Sequence, residues 1–374
     1  MAAVLDATKL RIFQNEQPAV VPNPDKIQFG KTVTDHMLQI QWTESEGWHE
    51  PRIVPYGNLS IDPTAGVFNY AFECFEGMKA YKDAQGRVRL FRPEVNIARL
   101  NQSAARVSLP TFDAKAFLNL LIEFVAIESR HIPATRGYSL YLRPVLIGTN
   151  PGLSVSAPTS ALLYVVASPV GSYFQNGLKA ITLEAASSSQ WVRAWPGGSG
   201  SHKVGANYAP CMVAEAGVRQ RGSDQVLWLF GKDDLLTEAG TMNLFIVLRR
   251  PDGSRELVTP PLDGTILPGV NRDCVLQLAR ERLEVHNWTV QERSISMHEL
   301  ETASADGNLE EVFGTGTAAV VSPVGSIHWK GKTIRCGVQG EVTAKMRRWI
   351  EARQYGEDEH EWSVLVDKLS KNSD

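Results

Sequence analysis

Lys203 follows a Gly/Ser-rich run, Trp195 to Ser201 (WPGGSGS), and stands in Ser201-His202-Lys203-Val204-Gly205-Ala206-Asn207-Tyr208. A lone lysine is ordinarily a solvated surface charge. One that attacks a carbonyl needs a lowered pKa and backbone room beside it, which a glycine-rich approach and an apolar exit supply. Further on, Glu238 and Thr241 lie in Leu236-Thr237-Glu238-Ala239-Gly240-Thr241-Met242-Asn243-Leu244-Phe245, at the mouth of an apolar strand. An ordinary polar turn accounts for these ten residues. The chemical alternative is a carboxylate facing a cationic ring nitrogen, which would turn the ring into an electron sink for a carbanion.

Two further stretches could take an anion. Gly264 to Arg272 (GTILPGVNR) is a Pro-Gly turn leading into an amphipathic helix with Val275, Leu276, Leu278, Ala279 and Leu283. A helix start offers unpaired N–H groups and the positive end of the dipole, although most helix starts bind nothing. Gly314-Thr315-Gly316-Thr317-Ala318-Ala319 follows a predicted strand; its glycines let the backbone approach an anion, and its threonine hydroxyls can donate to one. It is no nicotinamide fingerprint, because the GxGxxG spacing is missing and no helix follows directly.

In the amino-terminal half, alternation along Tyr138 to Gly148 puts Ser139, Tyr141, Arg143 and Val145 on one face of a strand. An arginine among apolar neighbours needs a partner, either a structural carboxylate or a bound one. Phe72 to Tyr81 (FECFEGMKAY) is aromatic-rich and reads either as plain core or as one wall of an apolar pocket.

The elements that must position these residues alternate in type along the chain, which points to α/β or mixed α+β domains. Helices are predicted at 93–109, 114–131, 207–221, 270–283 and 338–353. Extended segments are predicted at 66–70, 87–91, 138–148, 161–167, 179–183, 225–230, 243–248, 311–313 and 317–321. The chain has 374 residues, 43% of them hydrophobic and 21% charged, enough for two cores. The pattern breaks at Pro169 to Gly177 (PVGSYFQNG), so the division expected is a smaller domain over 1–170, a loop over 171–180 and a larger domain over 181–374 carrying Lys203.

A formal net charge of −3 leaves no basic footprint for nucleic acid. No apolar run approaches the ~18 residues that span a bilayer. Four dispersed cysteines, with no Cys/His cluster at ligand spacing, point to a reducing compartment and no structural metal. With residue 1 as the start, the amino terminus reads as that of a cytoplasmic protein, the mitochondrion staying open.

Taken in order, FECFEGMKAY, LFRPEVNIARL, YLRPVLIGTNPGLSV, SGSHKVGANYAP, QVLWLFG, LLTEAGTMNLF, LVTPPLDGTILPGV and EVFGTGTAAVVSPV resemble the class IV, fold-type IV pyridoxal phosphate enzymes, and within them the branched-chain amino acid aminotransferases. The resemblance runs from about Asp35 to Gly356. It implies a two-domain fold of the D-amino acid aminotransferase type, and a homodimer in which the partner's small domain helps to close each pocket. It implies ping-pong transfer of the amino group of Leu, Ile or Val to 2-oxoglutarate, giving branched 2-oxo acids and L-glutamate.

By the same resemblance Lys203 would carry pyridoxal 5'-phosphate and act as general acid/base, Glu238 would pair with the ring nitrogen and Tyr208 with the phenolate oxygen. Arg99, the N–H groups of Val270 and Asn271, Gly316 and Thr317 would hold the phosphate, with Leu267 packed against the ring. Phe29, Tyr70, Phe75, Tyr141 and Val155 would surround an aliphatic side chain. Thr241 and Ala318 would meet the substrate α-carboxylate, with Arg143 nearby, and Tyr173 would lie on a mobile interdomain loop. Ala319-Val320-Val321-Ser322 stands where some members carry a redox-active CxxC, so thiol control is not expected. D-amino acid and (R)-amine aminotransferases, aminodeoxychorismate lyases and a non-catalytic descendant are the alternative readings.

Overall fold

The computed structural model describes residues 2–21, 23–171, 179–284, 287–337 and 340–366. They form two compact units. One contains the described residues of Met1–Ser172, His202–Ala206 and Ala352–Asp374, and the other those of Tyr173–Ser201 and Asn207–Glu351. No helix among the described residues is long and apolar enough to cross a membrane.

The first unit is built on a ten-stranded sheet in which His36–Thr43, Ser160–Val170, Ser139–Gly148, Met78–Lys82 and Val88–Phe91 run side by side. Glu73–Phe75 adds a short antiparallel strand to Ser139–Gly148, pairing Phe75 with Val145 and Glu73 with Ile147. One face of the sheet packs on two helices. In Ala114–Ile127 the buried residues are Phe117, Leu120, Leu121, Phe124 and Val125, the i, i+3, i+4, i+7, i+8 stripe of an amphipathic helix. Asp113 fixes its start by accepting the Ala116 N–H at 2.7 Å. Pro93–Arg106 begins with proline in its first turn and buries Ile97, Leu100 and Ala104 together with Arg99 and Ser103.

Two segments that the sequence places with the carboxy-terminal half pack with this first unit instead. Val204 bridges to Cys74 in strand fashion, and the Phe75 N–H donates to the Lys203 carbonyl at 3.0 Å. Ser363–Leu365 forms the edge strand beside Val88–Phe91, and Trp362 meets Phe91 edge-on. Unmet strand edges and apolar surface decide where these pieces go, and neither is visible in a linear pattern.

The second unit holds a nine-stranded sheet, and the extra pairing of Leu235–Ala239 with Met242–Arg249 closes part of it on itself. Closure removes strand edges and points alternate side chains inward. Glu238 and Asn243 are direct partners at that closure. Met212–Gln220, Val270–Arg282, Met297–Ala305 and most of Glu341–Gln354 are among its helices.

Three local expectations are corrected. Gly66–Tyr70 is a helical turn, not a strand: Phe68 and Tyr70 are exposed, and the segment pairs with no strand among the described residues. Residues 317–319 form a turn between two strands, entered from Leu309–Gly316 and left at Val320 with φ of 62°. The helix predicted from Asn207 begins at Met212, preceded by short 3-10 turns around Pro210.

A buried group that the spacing did not announce joins Asp35, Glu128 and His131, whose ligand atoms lie within 4.8 Å of one another. Its oxygens are engaged by protein donors. Asp35 accepts from the Ala19 N–H, Arg130 and His131, while Glu128 accepts from the Asp35 N–H and pairs with His36. Burial acts to raise the Asp35 carboxyl, but the His131 and Arg130 hydrogen bonds outweigh it and hold the group at about 2. The trio is a structural hydrogen-bond network.

Candidate active site

The first unit brings Lys203 and Arg143 to one aromatic ring. Lys203 is fixed by its backbone: its N–H donates to Ser103 Oγ at 2.8 Å and its carbonyl accepts from Phe75. Its Nζ then lies 4.5 Å from the centre of the Phe75 ring, and the Arg143 guanidinium carbon lies 4.8 Å from the same centre. Both contacts have the geometry of cation–π attraction. Arg143 also donates to the Tyr141 hydroxyl at 3.0 Å, and Phe29 meets Tyr141 edge-on at 5.2 Å. Gly77 is required here, because a Cβ would collide with the Tyr141 hydroxyl.

Arg143 is half-buried, and its Nε is a buried donor with no acceptor. No carboxylate among the described residues comes within 4.0 Å of its guanidinium. Of the two partners the sequence allowed, the structural carboxylate is absent from its immediate shell. A half-buried guanidinium in that condition is arranged to receive an anion.

Arg99 is almost fully buried, and a residue the sequence reading missed holds it. Glu76 accepts from Arg99 Nε at 2.6 Å and from Nη2 at 2.8 Å, a fork-to-fork ion pair, and also accepts the Gly77 N–H. This fixes the plane of the guanidinium and leaves its Nη1 side directed away from Glu76.

In the second unit Glu238 is 2% exposed and clamped. Its Oε1 accepts from the Leu267 N–H at 2.9 Å and from Asn243 Nδ2 at 3.1 Å, while Oε2 pairs with Arg193 at 2.8 Å. Asn243 donates its other hydrogen to the Leu267 carbonyl, so the turn before the helix Val270–Arg282 is tied to the closing hairpin. Held by a backbone N–H, an amide and a guanidinium, the carboxylate is kept ionised and fixed in place. A buried, fixed carboxylate of this kind is a suitable partner for a cationic N–H.

The two anion candidates also meet. Gly269 is the N-cap of Val270–Arg282 and no side chain caps that end. Asn271 donates instead to the Gly316 carbonyl at 2.8 Å, linking the first turn to the 316–318 turn, where Thr317 and Ala318 are half-buried. A Cβ on Gly269 would strike Asn243 Oδ1. Gly314 is needed for a plainer reason, since a Cβ there would press on the Met242 side chain. Thr241 is exposed at the hairpin tip, and Tyr208 and Leu267 are half-buried.

Not every expected residue joins these groups. Tyr70 is 39% exposed and Val155 71% exposed, and the Tyr70 hydroxyl donates to the Leu153 carbonyl at 2.5 Å. Tyr173 lies outside the described residues. Arg193, Asn243 and Glu76 were not anticipated; each acts through a contact that has no signature in sequence spacing.

The fold is mixed α/β, with a lysine backed by an aromatic ring in the first unit and a clamped carboxylate and an uncapped helix start in the second. The class IV aminotransferase pattern matches residues 73–327, and the chain belongs to that family. It is 49% identical over 376 residues to the cytosolic branched-chain-amino-acid aminotransferase of Saccharomyces cerevisiae, covering 98% of this chain and 99% of that one. The mitochondrial branched-chain-amino-acid aminotransferase of the same yeast is 48% identical over 375 residues, covering 98% and 95%. Among solved structures, the branched-chain amino acid aminotransferase of Escherichia coli superimposes with a TM-score of 0.70 at 25% identity, covering 88% of this chain and 99% of that one.

Proposed function

We propose that this chain is a pyridoxal 5'-phosphate-dependent aminotransferase that takes the amino group of Leu, Ile or Val and gives it to 2-oxoglutarate. The observation that carries the reading is the amine of Lys203 and the unpaired guanidinium of Arg143 against one Phe75 ring. An amine for proton transfer and a cation for a carboxylate share one aromatic wall. The names of the yeast relatives, at nearly half identity over nearly the whole chain, support the choice of substrate.

The residues fit the cofactor. Glu238 is a buried carboxylate whose charge suits a ring N–H, and the helix start at Gly269 offers uncapped backbone donors to a phosphate. When bound, pyridoxal phosphate supplies a protonated conjugated ring that takes up the electron pair released at the substrate α-carbon. Arg99, the N–H groups of Val270 and Asn271, Gly316 and Thr317 hold the phosphate, Tyr208 the phenolate oxygen, and Leu267 packs on the ring. Arg193 and Asn243 position Glu238 so that its charge is fixed before substrate arrives. Lys203 Nζ accepts the proton from the substrate α-carbon and returns it.

Thr241 and Ala318 take the α-carboxylate. Phe29, Phe75 and Tyr141 line the aliphatic side chain, which gains about 0.8 kcal/mol per buried CH₂. Arg143 and the Tyr141 hydroxyl receive the second carboxylate of glutamate. A single methylene separates these aliphatic substrates by only ~1–3 kcal/mol, so all three are accepted. The exposure of Tyr70, Leu153 and Val155 supports a homodimer in which a second copy brings them to the pocket.

Glutamate formation from 2-oxoglutarate tests the reading, with L-leucine, L-isoleucine and L-valine as donors against D-alanine and (R)-1-phenylethylamine. The branched L-amino acids are the expected donors. Faster transfer from either of the other two overturns the substrate assignment.

A further inference from the structure

One carboxylate on the pocket-bearing face is unused by the mechanism above. Glu73 precedes Phe75 by two residues on the same short strand, so the two side chains share a face. That face continues through Ile147, Val145 and Arg143 of the neighbouring strand and Leu162 and Tyr164 of the next. Val145, Ile147 and Leu162 form its apolar floor, with Phe75 and Tyr164 packed against them.

Glu73 is half-buried among these residues, and neither of its oxygens has a hydrogen-bond partner among the described residues. Its carboxylate rests on the backbone of Gly205, where a Cβ would collide with Oε2. Burial raises its carboxyl above the ordinary value, and the charge of Arg143 offsets part of that rise. The same burial raises the Tyr164 hydroxyl, and the Glu73 charge adds to it. Arg143 and Glu73 thus sense each other electrostatically without closing to 4.0 Å, and each keeps unmet hydrogen-bonding capacity.

We propose that Glu73 is a specificity-determining residue: its negative charge partly cancels the field of Arg143 on this face and weakens binding of the second carboxylate of 2-oxoglutarate and glutamate relative to aliphatic substrates. The inference rests on the proposed function for Arg143 as the receiver of that carboxylate. The physical basis is simple. A side chain ending in methyl groups has no charge for Glu73 to act on, whereas a carboxylate drawn to Arg143 is repelled by a like charge on the same half-desolvated wall. The chain therefore trades affinity for its dicarboxylate partner against a pocket that stays receptive to branched apolar side chains.

The test is Glu73→Gln in the cofactor-loaded enzyme, with Glu73→Ser as a second neutral variant that places no amide against Gly205. KM for 2-oxoglutarate is expected to fall about fivefold, while KM for L-leucine changes by less than about twofold, the order of effect of one screened charge. Calorimetric titration with glutarate and with 4-methylpentanoate reads binding without turnover, and glutarate alone is expected to tighten by a similar factor. If both KM values move together, or glutarate binding is unchanged in both variants, Glu73 is a buttress for the Gly205 backbone and the proposal is overturned. If the wild-type enzyme transfers no amino group from leucine, it is the proposed function that fails, and the glutarate titration still decides the role of Glu73.

Discussion

Lys203→Ala is expected to fold as the parent protein does and to lose amino transfer by about 10⁴-fold or more, the scale of a general acid/base that has no substitute. The fold is expected to survive because two backbone bonds hold residue 203 in place whatever its side chain: the N–H to Ser103 and the carbonyl from Phe75. The contact of the side chain with the Phe75 ring is worth on the order of 1 kcal/mol. Circular dichroism and a melting curve close to those of the parent, together with loss of glutamate formation, meet the expectation. Undiminished transfer would remove Lys203 from the chemistry.

Glu238→Gln changes one atom and is expected to cost far more than its size suggests. The glutamine oxygen can still accept from Leu267 and Asn243, but the amide nitrogen then faces the Arg193 guanidinium, donor against donor. Both partners are buried, so the variant leaves an uncompensated charge, which costs about 3–5 kcal/mol when a buried pair is broken. On the chemical side a neutral amide no longer holds a proton on the ring nitrogen. We expect kcat to fall by about 10²–10³-fold, the loss seen when one pre-organised electrostatic group is removed. The two effects separate by measurement: saturating added cofactor restores some thermal stability by mass action and does not restore kcat. A variant with the parent kcat would refute the role given to Glu238.

How much of this was legible beforehand depends on the range over which each feature is determined. The helix 114–127 was readable because its cap and its apolar stripe are local, all set within fifteen residues by Asp113 and the phenylalanines and leucines that follow. The strand 139–148 was readable for the same reason, and with it the odd placement of Arg143. Lys203 and Glu238 were marked by composition around them and by resemblance.

What holds those residues was not readable. The Arg193–Glu238 ion pair, the Glu76–Arg99 fork and the seating of residues 202–206 against Cys74 and Phe75 join positions far apart in the chain. Such pairings are chosen by the whole fold. The segment 66–70 failed in the opposite way: its β-branched and aromatic content favours a strand, but no strand among the described residues pairs with it, and it forms a single helical turn.

The central claim, a cofactor-loaded lysine that acts on branched L-amino acids, is tested most directly by the absorbance spectrum of the purified protein with added pyridoxal phosphate, recorded before and after L-leucine with no 2-oxo acid present. The account predicts a visible band from lysine-bound cofactor that gives way, on leucine addition, to the band of the pyridoxamine form. A protein that forms no such band, or whose band is indifferent to leucine, would contradict it.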